Sequence, residues 1–494
     1  MPSLFKNASW GGVSAAIRLV FGMANLFLAI KLAGVIPYGY LTLILSISAF
    51  YVAVINSVHT IAVTHAADLR DKPNSVEALN LLFSAVWLFT LLSVVVICIT
   101  TYFTGSHFLH AFVYWGANLN TKSTLDTLLT VVLAIVVLQI LSAGNVAVIE
   151  SLSRFDLAAR VQMFGPVLIF ILLISGYFQF KTTNIVQVAQ ILALGGFLDF
   201  ILTSIIRFKM GYLIAFIPNS RVISLFPTLF SQGLALQGSR LVNIFFDPFN
   251  KFLLNMYVGP ASVSTYEIAM KIIFGIQGLF GGAFRTFLQL TNKMSTDGGA
   301  DYLKSLRFGL VPALLIHGIG GIFVVVISHF WLSGEMSSLP LFYLLLIPAS
   351  MTIIFIAPIY YALIGVRDLN FIFKMNLNLA VMNFIGSLIL IPIMGIYGAA
   401  IGFTAAILYN AHLEYRRYLF KIGQILKLKQ EVIVMVNRLS VVLLTTLIAI
   451  STGIFIKSNI YIIFTQFICL FILMLVFFKE PLVKVFFFKF KAKK

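Results

Sequence analysis

The sequence predicts an all-α polytopic membrane protein of about fourteen transmembrane helices: two six-helix lobes related by a pseudo-two-fold axis along the membrane normal, plus an extra C-terminal helix pair. Three observations lead there. First, 60% of the 494 residues are hydrophobic and only 10% charged, too few polar residues to cover a soluble globule of this size. Second, the apolar residues fall into runs of bilayer length, separated by short segments that collect Lys and Arg on one side. Third, a hairpin near the start of the chain recurs 225 residues later.

Counting roughly 20 apolar residues per span, the first half gives spans near 10–33, 39–63, 79–103, 126–149, 161–178 and 185–206. They form an N-terminal lobe, 1–206, followed by a more polar linker at 207–224. The second half gives 226–257, 262–290, 308–332, 340–364, 371–393 and 397–414, a C-terminal lobe of 225–414. A basic segment, 415–431, precedes two further spans at 432–456 and 460–478, and a basic tail follows at 479–494. The first run contains Arg18 and has no short apolar core followed by a small-residue cleavage site, so it reads as a retained helix.

With the N-terminus inside, 25 of the 34 Lys and Arg residues fall in inner segments, among them Arg154, Arg160, Arg207 and Lys209. Only 3, Lys122, Lys181 and Lys457, fall outside. This bias puts both termini in the cytoplasm and accounts for the formal charge of +18 without a nucleic-acid partner. Cys98 and Cys469 both lie in apolar runs, which supports neither a disulfide framework nor a cysteine metal site, and no cofactor is implied. The longest outer loop, 104–125, leaves no room for an extramembrane catalytic domain, so the chain reads as a transporter rather than an enzyme.

The repeat lays KLAGVIPYGYLTL (Lys31–Leu43) over MYVGPASVSTYEIA (Met256–Ala269), with Gly34 on Gly259 and Gly39 on Ser264. Each copy joins two long helices by a tight outer turn. Six helices per lobe make both copies enter the membrane in the same direction, the parallel repeat of alternating-access transporters.

The remaining six basic residues lie inside spans: Arg18, Lys31, Arg240, Lys251, Lys271 and Arg285. At roughly 2.5–3.5 kcal/mol for each charge facing lipid at mid-helix, all but Lys31 would together cost on the order of 15 kcal/mol. They are therefore expected to face a protein interior. The stretch from Arg240 to Lys271 concentrates them, and there Asp247 and Lys251, like Glu267 and Lys271, stand four apart on one helical face.

Two readings follow. The charges are structural ion pairs or snorkel to the interface, or they line a cationic cavity between the lobes, outnumbering Asp199, Asp247 and Glu267 and suited to a phosphate-bearing head group. Asp199, in GGFLDFIL, has no cation in its own segment. It reads either as a titrating carboxylate that couples transport to protons or Na⁺, or as a hydrogen-bonded structural one. His59, His65 and His317 read as packed or interfacial residues. Pro248, Pro312, Pro348, Pro358 and Pro392 lie inside spans and are expected to kink them, and Gly281–Gly282 and Gly320–Gly321 to mark close packing. The last two spans read as a peripheral hairpin or a groove for a lipid tail, and the final KVFFFKFKAKK suits anionic head groups.

At several of these places the chain resembles the polysaccharide flippase family, the translocases of O-antigen and related repeat units. That family belongs to the superfamily that includes the multidrug-and-toxin exporters and the peptidoglycan-precursor flippase. The family's first hairpin reads like A-R-x-L-G-P-E-x-Y-G; Lys31, Gly34, Tyr38 and Gly39 fit, while Val35 stands where proline is usual. Its seventh helix and turn look like D-K-x-x-L-x-x-x-x-G-P-x-x-V-G-x-Y-x-x-A. Asp247, Lys251, Leu254, Gly259, Pro260, Val263, Tyr266 and Ala269 answer to it, with Pro248, Phe249 and Asn250 separating the Asp from the Lys and Ser264 replacing a glycine. ESLSRFDLAARVQ (Glu150–Gln162) is similar to the family's inner loop after helix four, and IPIMGIYGAAIGFTAA (Ile391–Ala406) to the start of its helix twelve.

The resemblance implies a flippase of the bacterial inner membrane. It would move a polyprenyl-pyrophosphate-linked oligosaccharide, the repeat unit of O-antigen lipopolysaccharide or another surface polysaccharide, to the periplasmic leaflet by alternating access. Membrane lipids, H⁺ or Na⁺, and a polysaccharide polymerase with its chain-length regulator are the implied partners. No Gly-rich ATP loop with its Lys occurs, so an ion gradient, the membrane potential or product removal would drive the cycle. Two alternatives stand beside this reading. One is an organic-cation multidrug antiporter of the same superfamily, whose substrates an excess of cavity cations would repel. The other is a membrane glycan polymerase or glycosyltransferase, which needs a catalytic loop of a kind that 104–125 does not supply.

Overall fold

The computed structural model describes residues 4–46, 75–104, 122–152, 154–180, 184–210, 246–284, 316–328, 336–365 and 368–421, with the single residues 59, 66, 227 and 313. Arg240, Arg285, His65, the linker from 211 to 224, Gly281–Gly282 side-chain packing and the two spans after 432 lie outside the described residues.

Among the described residues the chain is all-helical: α1 Leu4–Ala33, α2 Val35–Ser46, α3 Ser75–Thr104, α4 Lys122–Ser151, α5 Phe155–Phe180, α6 Ile185–Lys209, α7 Asp247–Tyr257, α8 Pro260–Phe284, α9 Ile316–Val326, α10 Leu339–Gly365, α11 Leu369–Met394 and α12 Ile396–Lys421. Eight of these, α1, α3 to α6 and α10 to α12, are long and apolar enough to cross a membrane. The all-α polytopic class expected from the sequence is the class observed, and the full count of fourteen depends on residues outside the described ones.

Every one of those eight helices contains its expected span and runs past it. The longest overrun is α12, which reaches Lys421 where the apolar run ends at 414. Apolar counting sees only the hydrocarbon layer, whereas the i to i−4 bonding continues into the interface, where polar side chains are solvated. α6 shows how such an end is fixed. The Asn184 side chain accepts from the Val186 N–H, Gln187 closes a capping box, and Arg207 and Lys209 occupy the last turn, where the helix dipole favours cations. Pro248, expected inside a span, instead stands in the first turn of α7, the position where its missing N–H costs nothing.

The described helices belong to two compact units, Met1–Lys271 with Asn370–Ala399, and Ile272–Leu369 with Ala400–Lys494. In the first unit α1 packs on α5, α5 on α6, α6 on α4 and α4 on α3. Small residues permit these approaches: an added Cβ at Gly165 of α5 would sit 2.9 Å from the Asp199 carboxylate of α6, and one at Gly144 of α4 would sit 3.4 Å from Thr90 of α3. Polar rungs tie α1 to α5. Ser14 Oγ donates to the Ala159 carbonyl at 2.9 Å, and Asn25 Nδ2 to the Pro166 carbonyl at 2.8 Å.

In the second unit, buried His317 of α9 lies 3.1 Å through Nδ1 from the Tyr343 hydroxyl of α10. Gly320 packs so closely that an added Cβ would meet that hydroxyl at 2.6 Å. Thr404 Oγ1 donates to the Leu345 carbonyl at 3.0 Å, and Arg417 Nε pairs with Asp368 at 2.8 Å.

Candidate functional site: a charged hairpin and its counterpart

Two hairpins of the first unit define the site. α1 turns into α2 at Gly34 with φ +90°, and α7 turns into α8 at Gly259 with φ +106°, the left-handed region that glycine enters without a Cβ penalty. These are the residues that the 225-residue offset superposes. The Gly34 N–H donates to the Ile30 carbonyl at 2.8 Å and the Gly259 N–H to the Leu254 carbonyl at 2.9 Å, closing the last turn of each first helix.

The two turns also touch. Ser264 Oγ of α8 donates to the Val35 carbonyl of α2 at 2.6 Å, and α2 approaches the Pro260 carbonyl so closely that any Cβ at Gly39 would collide with it. Val35 corresponds to Pro260 and Gly39 to Ser264 in the repeat, so each contact is the two-fold image of the other. The pseudo-two-fold read from thin sequence identity thus has a physical seam.

The charges line one side of that seam. Lys251 Nζ of α7 lies 2.5 Å from Asp247 Oδ2 and 2.5 Å from Glu267 Oε2 of α8. Glu267 Oε1 in turn takes Lys271 Nζ at 3.0 Å, and Lys271 Nζ donates to the Tyr38 hydroxyl of α2 at 3.4 Å. The result is an alternating chain, Asp247, Lys251, Glu267, Lys271, Tyr38, running from α7 through α8 to α2. Its middle is closed, with the Lys251 side chain 4% exposed and Glu267 12%, while Lys271 is 46% exposed. Close by, Asn250 Nδ2 donates to the Tyr266 hydroxyl at 3.4 Å, and Phe249 stacks on Phe384 of α11 with centroids 4.3 Å apart.

Both i, i+4 pairs legible in the sequence form, and the structure adds a cross-turn bridge that sequence reading missed. Lys251 and Glu267 stand eight residues before and eight after Gly259, so a hairpin centred on that glycine brings them face to face. The spacing was available as a signal. Two acids and two bases make the chain neutral as a whole, and within it Lys251 is held between two carboxylates.

The other residues singled out stand apart from this chain. Arg18 is exposed on α1 and donates through Nη1 to Gln162 Oε1 of α5 at 3.0 Å. Lys31 is exposed in the last turn of α1. Asp199 joins a separate network between α4 and α6: Ser142 Oγ donates to Asp199 Oδ2 at 2.7 Å, and Asn145 Nδ2 donates to Thr203 Oγ1 at 3.1 Å and Ser204 Oγ at 2.9 Å. Nothing in the sequence ties Ser142 or Asn145 to Asp199, because the contact spans 57 residues between two apolar helices.

No protein-family model and no curated relative matches the sequence. Solved structures do. The lipid II flippase MurJ, in an inward closed conformation, matches with a TM-score of 0.66 over 97% of this chain and 99% of its own, at 16% identity. The chain has the fold of the MOP-superfamily transporters. An inward-facing multidrug resistance MATE family transporter of that superfamily matches with a TM-score of 0.59 at 15% identity, over 84% of this chain and 99% of its own. The eukaryotic MATE transporter AtDTX14 also reaches 0.59, at 12% identity over 86% of this chain and 97% of its own. At these identities the likeness is one of fold, and it makes the chain a multi-pass membrane protein of transporter architecture.

Proposed function

We propose that the chain is a flippase that moves a polyprenyl-pyrophosphate-linked oligosaccharide from the cytoplasmic to the periplasmic leaflet of a bacterial inner membrane, both termini being cytoplasmic. The observation that carries this reading is the charged chain from Asp247 to Lys271, set in membrane helices and open at Lys271. The four ionised groups neutralise one another at rest, and the half-exposed Lys271 at the end of the chain is the donor that an acceptor-rich pyrophosphate can reach. In this reading the segments 1–206 and 225–414 act as two lobes that alternate access.

A pyrophosphate arriving from the inner side competes with Glu267 for Lys271, with Arg18, Lys31, Arg240 and Arg285 as further cationic contacts. Release of Glu267 leaves Lys251 with Asp247 and loosens the tie to Tyr38 on α2. Asp199, bonded to Ser142, is the candidate for coupling the cycle to H⁺ or Na⁺. A polysaccharide polymerase and chain-length regulator would use the flipped unit.

An organic-cation antiporter is the second reading, favoured by the likeness to multidrug transporters. Those matches cover 84% and 86% of the chain. The match to the lipid II flippase extends over 97% and supports the first reading.

The test uses Lys271→Ala and Arg240→Ala in cells that depend on this gene for surface glycan, at protein levels matched to wild type. Loss of surface glycan with inner-leaflet accumulation of the lipid-linked unit is expected for both. Normal glycan in both, with raised drug accumulation instead, would replace the flippase by the antiporter.

A further inference from the structure

Before the charged hairpin in the chain, α6 ends in a guanidinium that no carboxylate among the described residues neutralises. Arg207 is 5% exposed. Its guanidinium carbon lies 4.9 Å from the ring centroid of Trp87 on α3 and 4.5 Å from that of its neighbour Phe208. Among the described residues no carboxylate pairs with it, and its Nε–H is buried without a hydrogen-bond partner. Elsewhere the buried cation is matched: Lys251 has Asp247 and Glu267. Aromatic faces attract the cation but leave the N–H groups in the guanidinium plane unsatisfied. A desolvated arginine whose described neighbours at the guanidinium are rings is a site for an oxyanion, since its fork presents paired donors at the spacing of phosphate oxygens.

Where Arg207 sits identifies the source of that oxyanion. It lies in the last turn of a membrane-length helix, on the side where the sequence collects Lys and Arg, the end of a span that head groups reach. Leu194, Phe197, Ile201, Ile205 and Phe208 recur every three or four residues along one exposed face of α6, Phe208 being 68% exposed. This apolar stripe ends at Phe208, whose ring the guanidinium contacts, and offers a bed for acyl chains. A second guanidinium stacked on an aromatic ring stands on the same side, near the start of the preceding antiparallel helix, with Asp156 one turn before it. Arg160 of α5 lies 4.3 Å over the Trp10 ring, its Nε also buried without a partner.

We propose that Arg207, stacked between Trp87 and Phe208, holds the phosphate of an anionic glycerophospholipid of the inner leaflet, with its acyl chains along the exposed face of α6. Inorganic phosphate offers the same oxyanion without the chains, and diacylglycerol the chains without the oxyanion.

The experiment measures binding of short-chain phosphatidylglycerol, the matching diacylglycerol and inorganic phosphate to the purified full-length chain in detergent. Thermal shift gives affinity, and native mass spectrometry counts retained lipid. Phosphatidylglycerol is expected to bind and the other two to leave the protein unshifted. Arg207→Gln is expected to weaken phosphatidylglycerol roughly tenfold, as loss of a charge-assisted hydrogen bond does. Arg207→Lys, which keeps the charge and loses the fork, is expected to show a smaller loss and stands in if the glutamine variant does not fold. The exposed Lys209→Gln serves as a surface-charge control and should change little. Phosphatidylglycerol binding unchanged in both Arg207 variants overturns the site. Equal binding of diacylglycerol removes the phosphate from it, and equal binding of inorganic phosphate removes the lipid.

Discussion

The hairpins α1–α2 and α7–α8 share a turn, a seam and a repeat, and they differ in charge. Gly22, Leu26, Thr42 and Ser46 stand where the second hairpin carries Asp247, Lys251, Glu267 and Lys271. The Thr42 and Ser46 hydroxyls donate back to the Gly39 and Leu43 carbonyls of their own helix, at 3.0 and 2.7 Å. The first hairpin thus makes the same left-handed turn and its half of the same contact with no ionised group at these positions. The fold requires a glycine at each turn and a close approach at the seam, and four charges are no part of that requirement. Under the proposed function they serve transport.

Removing one charge alone should break the comparison most violently. Lys251→Met leaves half-buried Asp247 without its cation and buried Glu267 with Lys271 alone, a loss of up to about 3–5 kcal/mol, read as a large fall in thermal stability in detergent. Leu26, its counterpart, already fills that place with an apolar side chain, so Leu26→Met should be nearly neutral.

The seam comes next. Gly39→Ala drives a methyl into the Pro260 carbonyl and should cost about 1–3 kcal/mol by overpacking. Gly34→Ala and Gly259→Ala carry only the strain of positive φ, about 1–2 kcal/mol each. Near-equal unfolding shifts for those two would sharpen the equivalence, and a tolerated Gly259→Ala beside a disruptive Gly34→Ala would break it.

The smallest effect belongs to Ser264→Gly, which gives α8 the residue found in α2. It loses the bond to the Val35 carbonyl, worth about 0.6 kcal/mol between membrane helices, and should leave transport at the wild-type rate.

Much of this comparison was legible in the sequence. Gly34 and Gly259 announced the turns because positive φ selects glycine, and bilayer-length apolar runs gave the eight spanning helices to within a few residues at the outer ends of most. Spacing of four placed Asp247 with Lys251 and Glu267 with Lys271. What stayed hidden was tertiary. Tyr38 reaches Lys271 across 233 residues, and Asp199 reaches Ser142 across 57. Counting charges also pointed to an excess of cations, whereas the described part of the hairpin pairs each with a carboxylate, since membrane burial favours ions that are matched in place. Arg207 reads from sequence as one more interfacial arginine, and only its burial against Trp87 sets it apart.

The central claim is that the second hairpin's charges serve transport while the glycine seam serves the fold. The direct test gives the second hairpin the residues of the first, Asp247→Gly, Lys251→Leu, Glu267→Thr and Lys271→Ser together. Translocation of a polyprenyl-pyrophosphate-linked oligosaccharide is then followed in proteoliposomes. The account predicts a folded protein, more stable than Lys251→Met, that moves no substrate. Translocation at the wild-type rate would contradict it.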